Sequence, residues 1–494
     1  MDTTRRRLAR LPFGIGAWCL GGTWLSACGG SGQPDSHHAE AGNGETVAPP
    51  TAAELAATAA TTPTGFVSVK DAPYNAKGNG VDDDTVAIQA AINAAEKVYL
   101  PPGTYRVRSL RLRDMTQLSG AGSGSILQQT GDLAVLLAES SSPTTSVGKI
   151  TLQKLQLRGE VASKPFNEHV HLVRAHGVSE LLITDCVFRG FRGDGLYLSG
   201  MDTASQLPRH NTGVTVRQCH FDGLNNNNRN AITVVDGDLV RIENNQFYNC
   251  TRSDMPGPVD IEPNDFPFHV IRDITVTRNS FKNVGGNVAA VGVVLAGHQY
   301  TTEPSGFEIS YNTVDTCPAY AFAFFNAPAG GVTSATAGHR VRIGNNTVVN
   351  TKSSFWLTGV KGAAVEFNHF TDRSGSYIGY VQADQRCLDV KVTGNEFLRC
   401  GSVDRIGMQV FTVDGLSVEG NRFIDCGSGL AGSCAVDFKW GSSTSVRIIG
   451  NNFSAPTGMT AMAIQREANH TLAPVTNKFI SNVLNGLPHR FLSV

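Results

Sequence analysis

Apolar and polar residues alternate in short segments that recur along this chain. Residues 240–247 and 416–423 show the pattern clearly, with valine, isoleucine or leucine at alternate positions. A period of two indicates strands, whereas a helix would place apolar residues three and four positions apart. The pattern therefore predicts an all-β chain built from many short strands.

The alternating segments share a corner, an asparagine followed two residues later by phenylalanine or valine. The asparagines are Asn245, Asn279, Asn312, Asn346, Asn368, Asn395, Asn421 and Asn451, at spacings of 34, 33, 34, 22, 27, 26 and 30 residues. Such an asparagine can adopt the bent backbone of a turn and pass amide hydrogen bonds between coils, while the later residue packs inside on its counterpart. A coil of variable length with one recurring corner predicts a parallel β-helix, a solenoid.

Cysteines follow the same repeat. Four of them lie five residues after a corner asparagine, and Cys186 and Cys219 occupy the asparagine position in earlier coils. We expect inward-facing, small apolar side chains at these positions. No two cysteines have a close paired spacing, which favours free thiols over a structural disulfide, the alternative in an exported protein.

A separate module precedes the repeats. The acidic residues 82–84 and Thr85 predict a helix N-terminus, and Val86, Ile88, Ala91 and Ile92 predict one apolar face of a helix ending near Lys97. We expect this short helix to cap the open end of the solenoid, whose strand edges would otherwise pair with other chains.

The first residues have the layout of an export signal. Arg5, Arg6 and Arg7 precede an uncharged stretch, and the sequence Leu-Ser-Ala-Cys ends at Cys28. These four residues resemble the bacterial lipobox, which implies a signal peptide at 1–27, a lipid on Cys28 and anchoring in the outer membrane on its periplasmic or surface face. Residues 28–64 lack apolar periodicity and predict a flexible linker.

Residues 65–130 resemble the N-terminal segment of the pectate-lyase-like family, which includes phage tailspikes and rhamnogalacturonase-like and epimerase-like proteins. The resemblance rests on Ala-Lys-Gly-Asn-Gly at 76–80, on Asp-Asp-Thr-Val-Ala-Ile-Gln-Ala-Ala-Ile at 83–92 and on Tyr-Leu-Pro-Pro-Gly-Thr-Tyr at 99–105. It implies a right-handed parallel β-helix, with the cap and first coils at 65–130 and the repeats at 131–494 in one domain. This fold carries lyases, hydrolases, epimerases and inert binders, so the activity needs its own argument.

The composition and the absence of certain motifs disfavour several classes of function. The formal net charge is −1, with 41 Lys and Arg against 42 Asp and Glu, and this balance disfavours nucleic-acid binding. The histidine and aspartate motifs of polygalacturonases are absent, and so is the Tyr-Gly-Phe-Asp-Pro-His motif of alginate epimerases. Among the histidines, His169, His171 and His176 lie close enough in sequence to suggest a shared metal, but an ordinary strand surface is the favoured interpretation.

An acidic strand is the main candidate for chemistry. Strand alternation places Val259 and Ile261 inside, so Asp260 and Glu262 are expected to point together into solvent. The two carboxylates could serve an inverting glycosidase as general acid and base. Alternatively, Asp260, Glu262 and Asp265 could hold Ca²⁺ against a uronate, with Arg229 as the base or a substrate clamp. A solvated acidic surface without catalytic use is the remaining alternative.

Long polar connections predict a groove beside the same coils. They cover residues 200–213, 222–228, 250–258 and 297–306. The substrate-binding candidates in or near them are Asp194, Tyr197, Arg209, His210, Arg252 and His298. Phe324, Phe325 and Trp356 could stack on sugar rings, although core positions are favoured.

These features lead to one main hypothesis. The chain is expected to be an exported, lipid-anchored enzyme that cleaves a uronate-containing polysaccharide, with elimination ahead of hydrolysis and Ca²⁺ as a possible cofactor. A non-catalytic glycan-binding envelope protein is the alternative of a different class. No feature of the sequence indicates an oligomeric state.

Overall fold

The computed structural model describes residues 61–139, 147–200, 209–473 and 477–491. Within these ranges the chain winds into successive coils of a parallel β-helix, which confirms the predicted fold. Strands of neighbouring coils pair in parallel and leave three faces, called faces 1, 2 and 3 in chain order. The predicted signal peptide, Cys28 and most of the linker lie outside the described residues.

Face 1 is a 17-stranded sheet. Its strands are Val67–Ser68, Lys97–Leu100, Gln117–Gly120, Val147–Gln153, Val178–Thr184, Thr212–Arg217, Gly237–Glu243, Ile271–Thr277, Ser305–Ser310, Val341–Gly344, Lys361–Glu366, Cys387–Thr393, Val413–Glu419, Gly441–Thr444, Arg447–Ile449, His470–Leu472 and Lys478–Ile480.

Faces 2 and 3 are two rows of strands in one 26-stranded sheet. Face 2 contains Asn79–Asp83, Gly103–Val107, Ser125–Gln129, Gln156–Arg158, Val187–Arg189, His220–Asp222, Gln246–Tyr248, Ser280–Lys282, His369–Asp372, Glu396–Leu398, Arg422–Ile424 and Asn452–Ser454. Face 3 contains Leu110–Arg111, Leu136–Glu139, Val173–His176, Leu196–Ser199, Ile232–Val234, Val259–Ile261, Ala289–Val294, Ser376–Ile378, Ile406–Val410, Cys434–Phe438, Met462–Arg466 and His489–Arg490. Two long strands, Thr313–Phe325 and Thr347–Thr358, run through both rows and join them.

The capping helix extends over Thr85–Ala94, and a 3-10 turn at Ala383–Gln385 is the other helical element of the described ranges. Ile88, Ala91 and Ile92 are buried as predicted. Val86 is 83% exposed, so its assignment to the buried face was wrong. The helix also ends before Lys97, which begins a strand of face 1.

The two acidic residues directly before the helix, Asp83 and Asp84, accept hydrogen bonds from different parts of the chain. Asp83 accepts a hydrogen bond from the Thr85 amide at 2.9 Å, and the N-cap residue Asp84 makes no side-chain hydrogen bond to the helix. Asp84 is buried instead and accepts from the amides of Lys77 and Gly78 at 2.6 and 3.0 Å. Its carboxylate therefore fixes the chain segment that enters the first coil.

The corner asparagines form a continuous hydrogen-bonded ladder. Asn312, for example, donates from its backbone amide and from Nδ2 to Oδ1 of Asn346, at 2.8 and 3.0 Å, and from Nδ2 to the carbonyl of Val276. The same pattern extends from Asn245 to Asn482, one coil beyond the last asparagine that the repeat identified. Each rung satisfies buried backbone groups of two coils, which explains the recurrence of asparagine.

The bent backbone lies one residue earlier than predicted. Asn244, Arg278 and Tyr311 precede ladder asparagines and have φ values of 55°, 55° and 56°. Later coils place glycine there, such as Gly420 with φ of 64°, because glycine adopts this left-handed conformation without steric cost. The asparagine thus supplies hydrogen bonds, and its predecessor supplies the bend.

The residue two positions after each ladder asparagine packs inside the solenoid. Phe221, Phe247 and Phe281 stack in one column with ring centroids 5.0 and 4.7 Å apart. Val314 and Val348 continue that column in register before phenylalanine resumes. All eight described cysteines are buried and form no disulfide bond, in line with the prediction of inward-facing free thiols.

Removing one rung of the ladder should destabilise the protein. We expect Asn346→Ala to cost about 1–3 kcal/mol of unfolding free energy, because the Asn312 amide is left buried without its acceptor. Equilibrium denaturation measures this difference. The matched control is Asn452→Ala, an exposed asparagine whose loss should change stability by less than about 0.5 kcal/mol. Equal stability of both variants would contradict a stabilising role for the ladder.

Candidate functional site

Face 3 has long connections on both sides. Residues 159–172, 223–231 and 249–258 lead into its strands, and residues 262–270 and 295–304 lead away from them. Part of the predicted 200–213 connection, residues 201–208, lies outside the described residues. The other long connections identified from the sequence do border one face.

One position of each face 3 strand points away from the core, and these positions are in register from coil to coil. We call them the floor row. It consists of Arg174, Tyr197, Thr233, Asp260, Gly292, Ala323, Trp356, Tyr377, Gln409 and Asp437. Arg174 and Tyr377 are half-buried, and the other members of the floor row are buried.

The acidic strand is not the exposed pair that alternation predicted. Val259 and Ile261 do lie in the core, but Asp260 is only 1% exposed and accepts a hydrogen bond from Asn230 Nδ2 at 2.9 Å. Glu262 is half-buried. Strand alternation correctly predicted that Asp260 lies on the outer side of the sheet. Neighbouring coils nevertheless cover its side chain. The two carboxylates therefore do not stand free in the groove as an inverting pair requires.

Arg229 is held in a buried ion pair. Its Nη1 atom lies 2.5 Å from Oδ1 of Asp194, which is fully buried. Burial disfavours the cation, but the charges of Asp194 and Asp260 outweigh it and raise the pKa of Arg229 above its ordinary value. The ion pair holds the guanidinium in its charged form, which disfavours the predicted role of Arg229 as a base; its alternative role as a substrate clamp stays a prediction.

Asp194 is a positioning group rather than the substrate contact that was predicted. Burial opposes its ionisation, but the Arg229 charge outweighs burial and keeps the pKa of the Asp194 carboxyl below its usual value. His171 Nδ1 lies 3.1 Å from the Asp194 amide nitrogen and 3.2 Å from Oδ2. Asp194 therefore holds Arg229 through its carboxylate and His171 through its backbone amide, which donates to Nδ1.

Tyr197 connects this buried network to the floor. The His171 ring stacks on the Tyr197 ring with centroids 4.4 Å apart and an interplanar angle of 3°. His176, on the preceding coil, contacts the Tyr197 ring edge-on at 6.2 Å. Tyr197 is thus fixed between two imidazoles.

Four charged or titratable groups complete this end of the floor. Arg174 Nη2 and Arg111 Nη1 both bind the Glu139 carboxylate, at 3.0 Å each, and His176 Nδ1 lies 3.5 Å from it. Burial lowers the pKa of His176 to about 4, and the Arg174 charge acts in the same direction. His176 is therefore uncharged at neutral pH. Its side chain is 24% exposed, and its enclosed Nε2 atom has no hydrogen-bond partner among the described residues.

We call Glu139, Arg174, His176 and Tyr197 the face 3 site. Only Tyr197 was among the predicted binding residues. The segment 173–176 contains the missing signal, since alternation places Arg174 and His176 on one side of a strand and Val173 in the core. Sequence alone did not show that this strand lies beside Tyr197.

The other predicted binding residues lie in separate places. His210 Nδ1 lies 2.8 Å from buried Asp236, and this hydrogen bond raises the pKa of His210. Arg209 adjoins it and is half-buried. Arg252 stacks on Phe166, with its guanidinium carbon 3.7 Å from the ring centroid.

His298 pairs with Asp265 at 3.1 Å, and burial lowers the pKa of this histidine. Asp265 was a predicted calcium ligand, as were Asp260 and Glu262. In the part of the chain that the structure describes, no three His, Cys, Asp or Glu side chains are grouped as a metal site. The predicted calcium set is therefore not assembled.

Comparison with known proteins gives the same fold. Residues 66–148 match the family described as rhamnogalacturonase A/epimerase, pectate lyase-like, and residues 162–333 and 300–472 match the right-handed β-helix region. Together the two β-helix matches cover more than half of the chain. Handedness is thereby assigned as the sequence predicted.

Curated relatives match over a short segment. The mannuronan C5-epimerase AlgE6 of Azotobacter vinelandii is 51% identical over 70 residues, which are 12% of this chain and 8% of that protein. Alginate lyase 7 of the same organism is 46% identical over 70 residues, again 12% and 8%. The chain thus matches less than a tenth of each relative's length.

A solved structure of similar fold is the pre-mature gene product 12 of bacteriophage phi29. It has a TM-score of 0.55 and 15% identity, and the match covers 85% of this chain and 57% of that chain. This similarity concerns the fold alone.

Proposed function

Because the chain belongs to the right-handed β-helix family, we propose that it acts on a polysaccharide lying along face 3. The long connections that border face 3 on both sides support this placement. The curated relatives, named as a mannuronan epimerase and an alginate lyase, point to a uronate polymer as the substrate. The reaction that we propose uses residues of the face 3 site.

The proposal depends on three groups that lie together on face 3: the uncharged imidazole of His176, the phenol of Tyr197 and the guanidinium of Arg174. A base, an acid and a cation are the three groups that β-elimination from a uronate requires. His176 is the base, because its pKa of about 4 leaves it unprotonated at neutral pH, and a rotation of its side chain would bring Nε2, which is enclosed in this structure, to the substrate. Tyr197 is the acid, and Arg174 pairs with the substrate carboxylate.

The reaction balances with these groups. His176 takes the proton from C5 of the uronate, and the electron pair of that bond forms the C4–C5 double bond. The bond from C4 to the glycosidic oxygen breaks as Tyr197 donates its phenolic proton to that oxygen. The products are an unsaturated uronate and a new hydroxyl end, without hydrolysis.

A glycan panel tests this proposal. Incubation with alginate, polygalacturonate and uncharged glucans should yield ultraviolet absorbance of unsaturated uronate from an acidic polymer. New reducing ends without that absorbance would replace elimination with hydrolysis. If neither appears with any polymer, the non-catalytic glycan binder becomes the better hypothesis.

Export and lipid anchoring remain our proposal from the sequence at 1–28. In the described ranges, no helix combines the length and apolar character needed to cross a bilayer. A diacylglycerol on Cys28 would place the protein at the membrane surface through the linker at 28–64.

Replacing the lipidated residue tests the anchor. Cys28→Ser is expected to block signal removal and leave a protein heavier by about the 27 residues of the signal peptide, because the processing enzyme requires the lipid-modified cysteine. Mass spectrometry of membrane and soluble fractions measures the change, with Cys19→Ser as the control. An unchanged mature mass in Cys28→Ser would overturn the anchor.

A further inference from the structure

A second set of side chains on face 3 has no part in the proposed reaction. Seven aromatic residues form a continuous series of ring contacts outside the main core, which we call the aromatic row. Its members are Tyr320, Phe325, Trp356, Tyr377, Tyr380, Phe411 and Trp440. Phe324, by contrast, packs in the main core, so it is not a candidate for sugar stacking.

The ring contacts run along the solenoid axis. Ring centroids are 5.2 Å apart for Tyr320 and Trp356, 5.8 Å for Trp356 and Tyr380, and 5.6 Å for Tyr380 and Phe411. Trp440 follows Phe411 at 6.4 Å. The series crosses five successive coils, and four steps of about 4.8 Å make it roughly 19 Å long. Several linked sugar rings fit on such a length.

The aromatic row is only partly covered. Trp440 is 41% exposed, Tyr320, Tyr377 and Tyr380 are half-buried, and Phe325, Trp356 and Phe411 are buried beneath them. Partly exposed aromatic residues on the outside of a folded protein mark a binding surface more often than scattered apolar residues do. Tyr and Trp also combine an apolar ring face with a polar edge, which matches the alternation of C–H faces and hydroxyl edges on a pyranose.

Charged groups accompany the rings at both ends. Lys352 Nζ lies 5.9 Å from the Tyr320 ring centroid, and Lys439 Nζ lies 5.3 Å from that of Trp440. Each ammonium group is therefore placed where a carboxylate on a stacked sugar could pair with it. This arrangement favours an acidic sugar chain over a neutral one.

A buried carboxyl adds a polar group at the Trp440 end. Asp437 is 1% exposed, and its Oδ1 atom has no hydrogen-bond partner in the described part of the chain. Burial raises the pKa of Asp437 to about 7, with the Glu467 charge adding to the effect. A carboxyl that is partly protonated at neutral pH can donate to or accept from a sugar hydroxyl.

We propose that the aromatic row is a binding site for the backbone of an acidic polysaccharide, whose pyranose rings stack on the partly exposed rings of Tyr377, Tyr380 and Trp440. Lys352 and Lys439 pair with the carboxylates of this polymer. The inference shares the ligand class of the proposed function, but it concerns binding and does not require cleavage.

Binding by the full-length protein tests the site. Affinity electrophoresis in gels containing alginate or polygalacturonate measures retardation, and a gel containing dextran is the uncharged control. Trp440→Ala and Tyr377→Ala are each expected to weaken binding of the acidic polymer by about tenfold, the loss typical of a well-packed aromatic contact. Trp440→Phe should retain most of the binding, because it keeps a ring at that position.

The matched control is Tyr311→Ala, which removes an aromatic residue that is 52% exposed but lies outside the row. Its binding should equal that of the wild type. Unchanged binding in both Trp440→Ala and Tyr377→Ala, equal losses in Tyr311→Ala, or no binding of either acidic polymer by the wild type would overturn the site.

Measuring binding and product formation together in Trp440→Ala separates the two proposals, because Trp440 is not part of the face 3 site. Binding that depends on Trp440 without any product formation would support the aromatic row and contradict the elimination. Product formation together with binding that does not depend on Trp440 would support the elimination and contradict the aromatic row.

Discussion

His176→Gln is expected to lower kcat on the cleaved polymer by about 10²-fold or more, because the substitution removes the base that takes the C5 proton. Glutamine keeps a similar volume and a polar end beside Glu139, so the fold should be retained. Tyr197→Phe is expected to cause a loss of similar size by removing the acid. Initial rates of unsaturated product formation measure both.

His169→Gln is the matched control, since this histidine is 70% exposed on the connection before the same strand. Its rate should equal that of the wild type. The pH profile gives a second readout. The base must be unprotonated, and the pKa of His176 is about 4 against an ordinary value of 6.5, so kcat/KM should fall only as the pH approaches about 4. Wild-type rates in His176→Gln would assign the proton transfer to another group.

Arg229→Met is expected to destabilise the protein by about 3–5 kcal/mol, because it leaves the buried carboxylate of Asp194 without its cation. This is the largest stability effect that we expect from a single polar substitution near the groove. Equilibrium denaturation at neutral pH measures it. The double variant Asp194→Asn with Arg229→Met should recover part of the loss, since the uncompensated charge is then gone.

The control for the ion pair is Arg272→Met on face 1. Arg272 pairs with Asp238 at 2.5 Å but is 44% exposed, so its loss should cost about 1 kcal/mol or less. Similar losses in Arg229→Met and Arg272→Met would show that burial does not strengthen the inner pair.

Most of the fold follows from local sequence signals. The ladder asparagines and the aromatic column could be predicted because both recur in most coils, and successive asparagines repeat the same hydrogen bonds. The capping helix was identified by apolar residues at helical spacing, although Val86 at its first turn remained outside the buried face.

The site was predicted less completely, because accessibility depends on residues far away in the chain. Alternation correctly placed Asp260 on the outer side of its strand, but Asn230 and the coil that carries it cover that carboxylate. Arg229 had the chemistry of a clamp in the sequence, but Asp194, 35 residues away, holds it below the surface.

The sequence by itself determined the class of fold, the stacking of its coils and the side of the sheet on which each strand residue lies. These properties depend on periodicity within a coil and on contacts that every coil repeats. Only the tertiary structure decided that His176 and Arg174 lie beside Tyr197, and that the aromatic row is a series separate from the core. The reason is physical: register between coils and cover by connecting segments depend on connection lengths and packing, which have no period in the sequence.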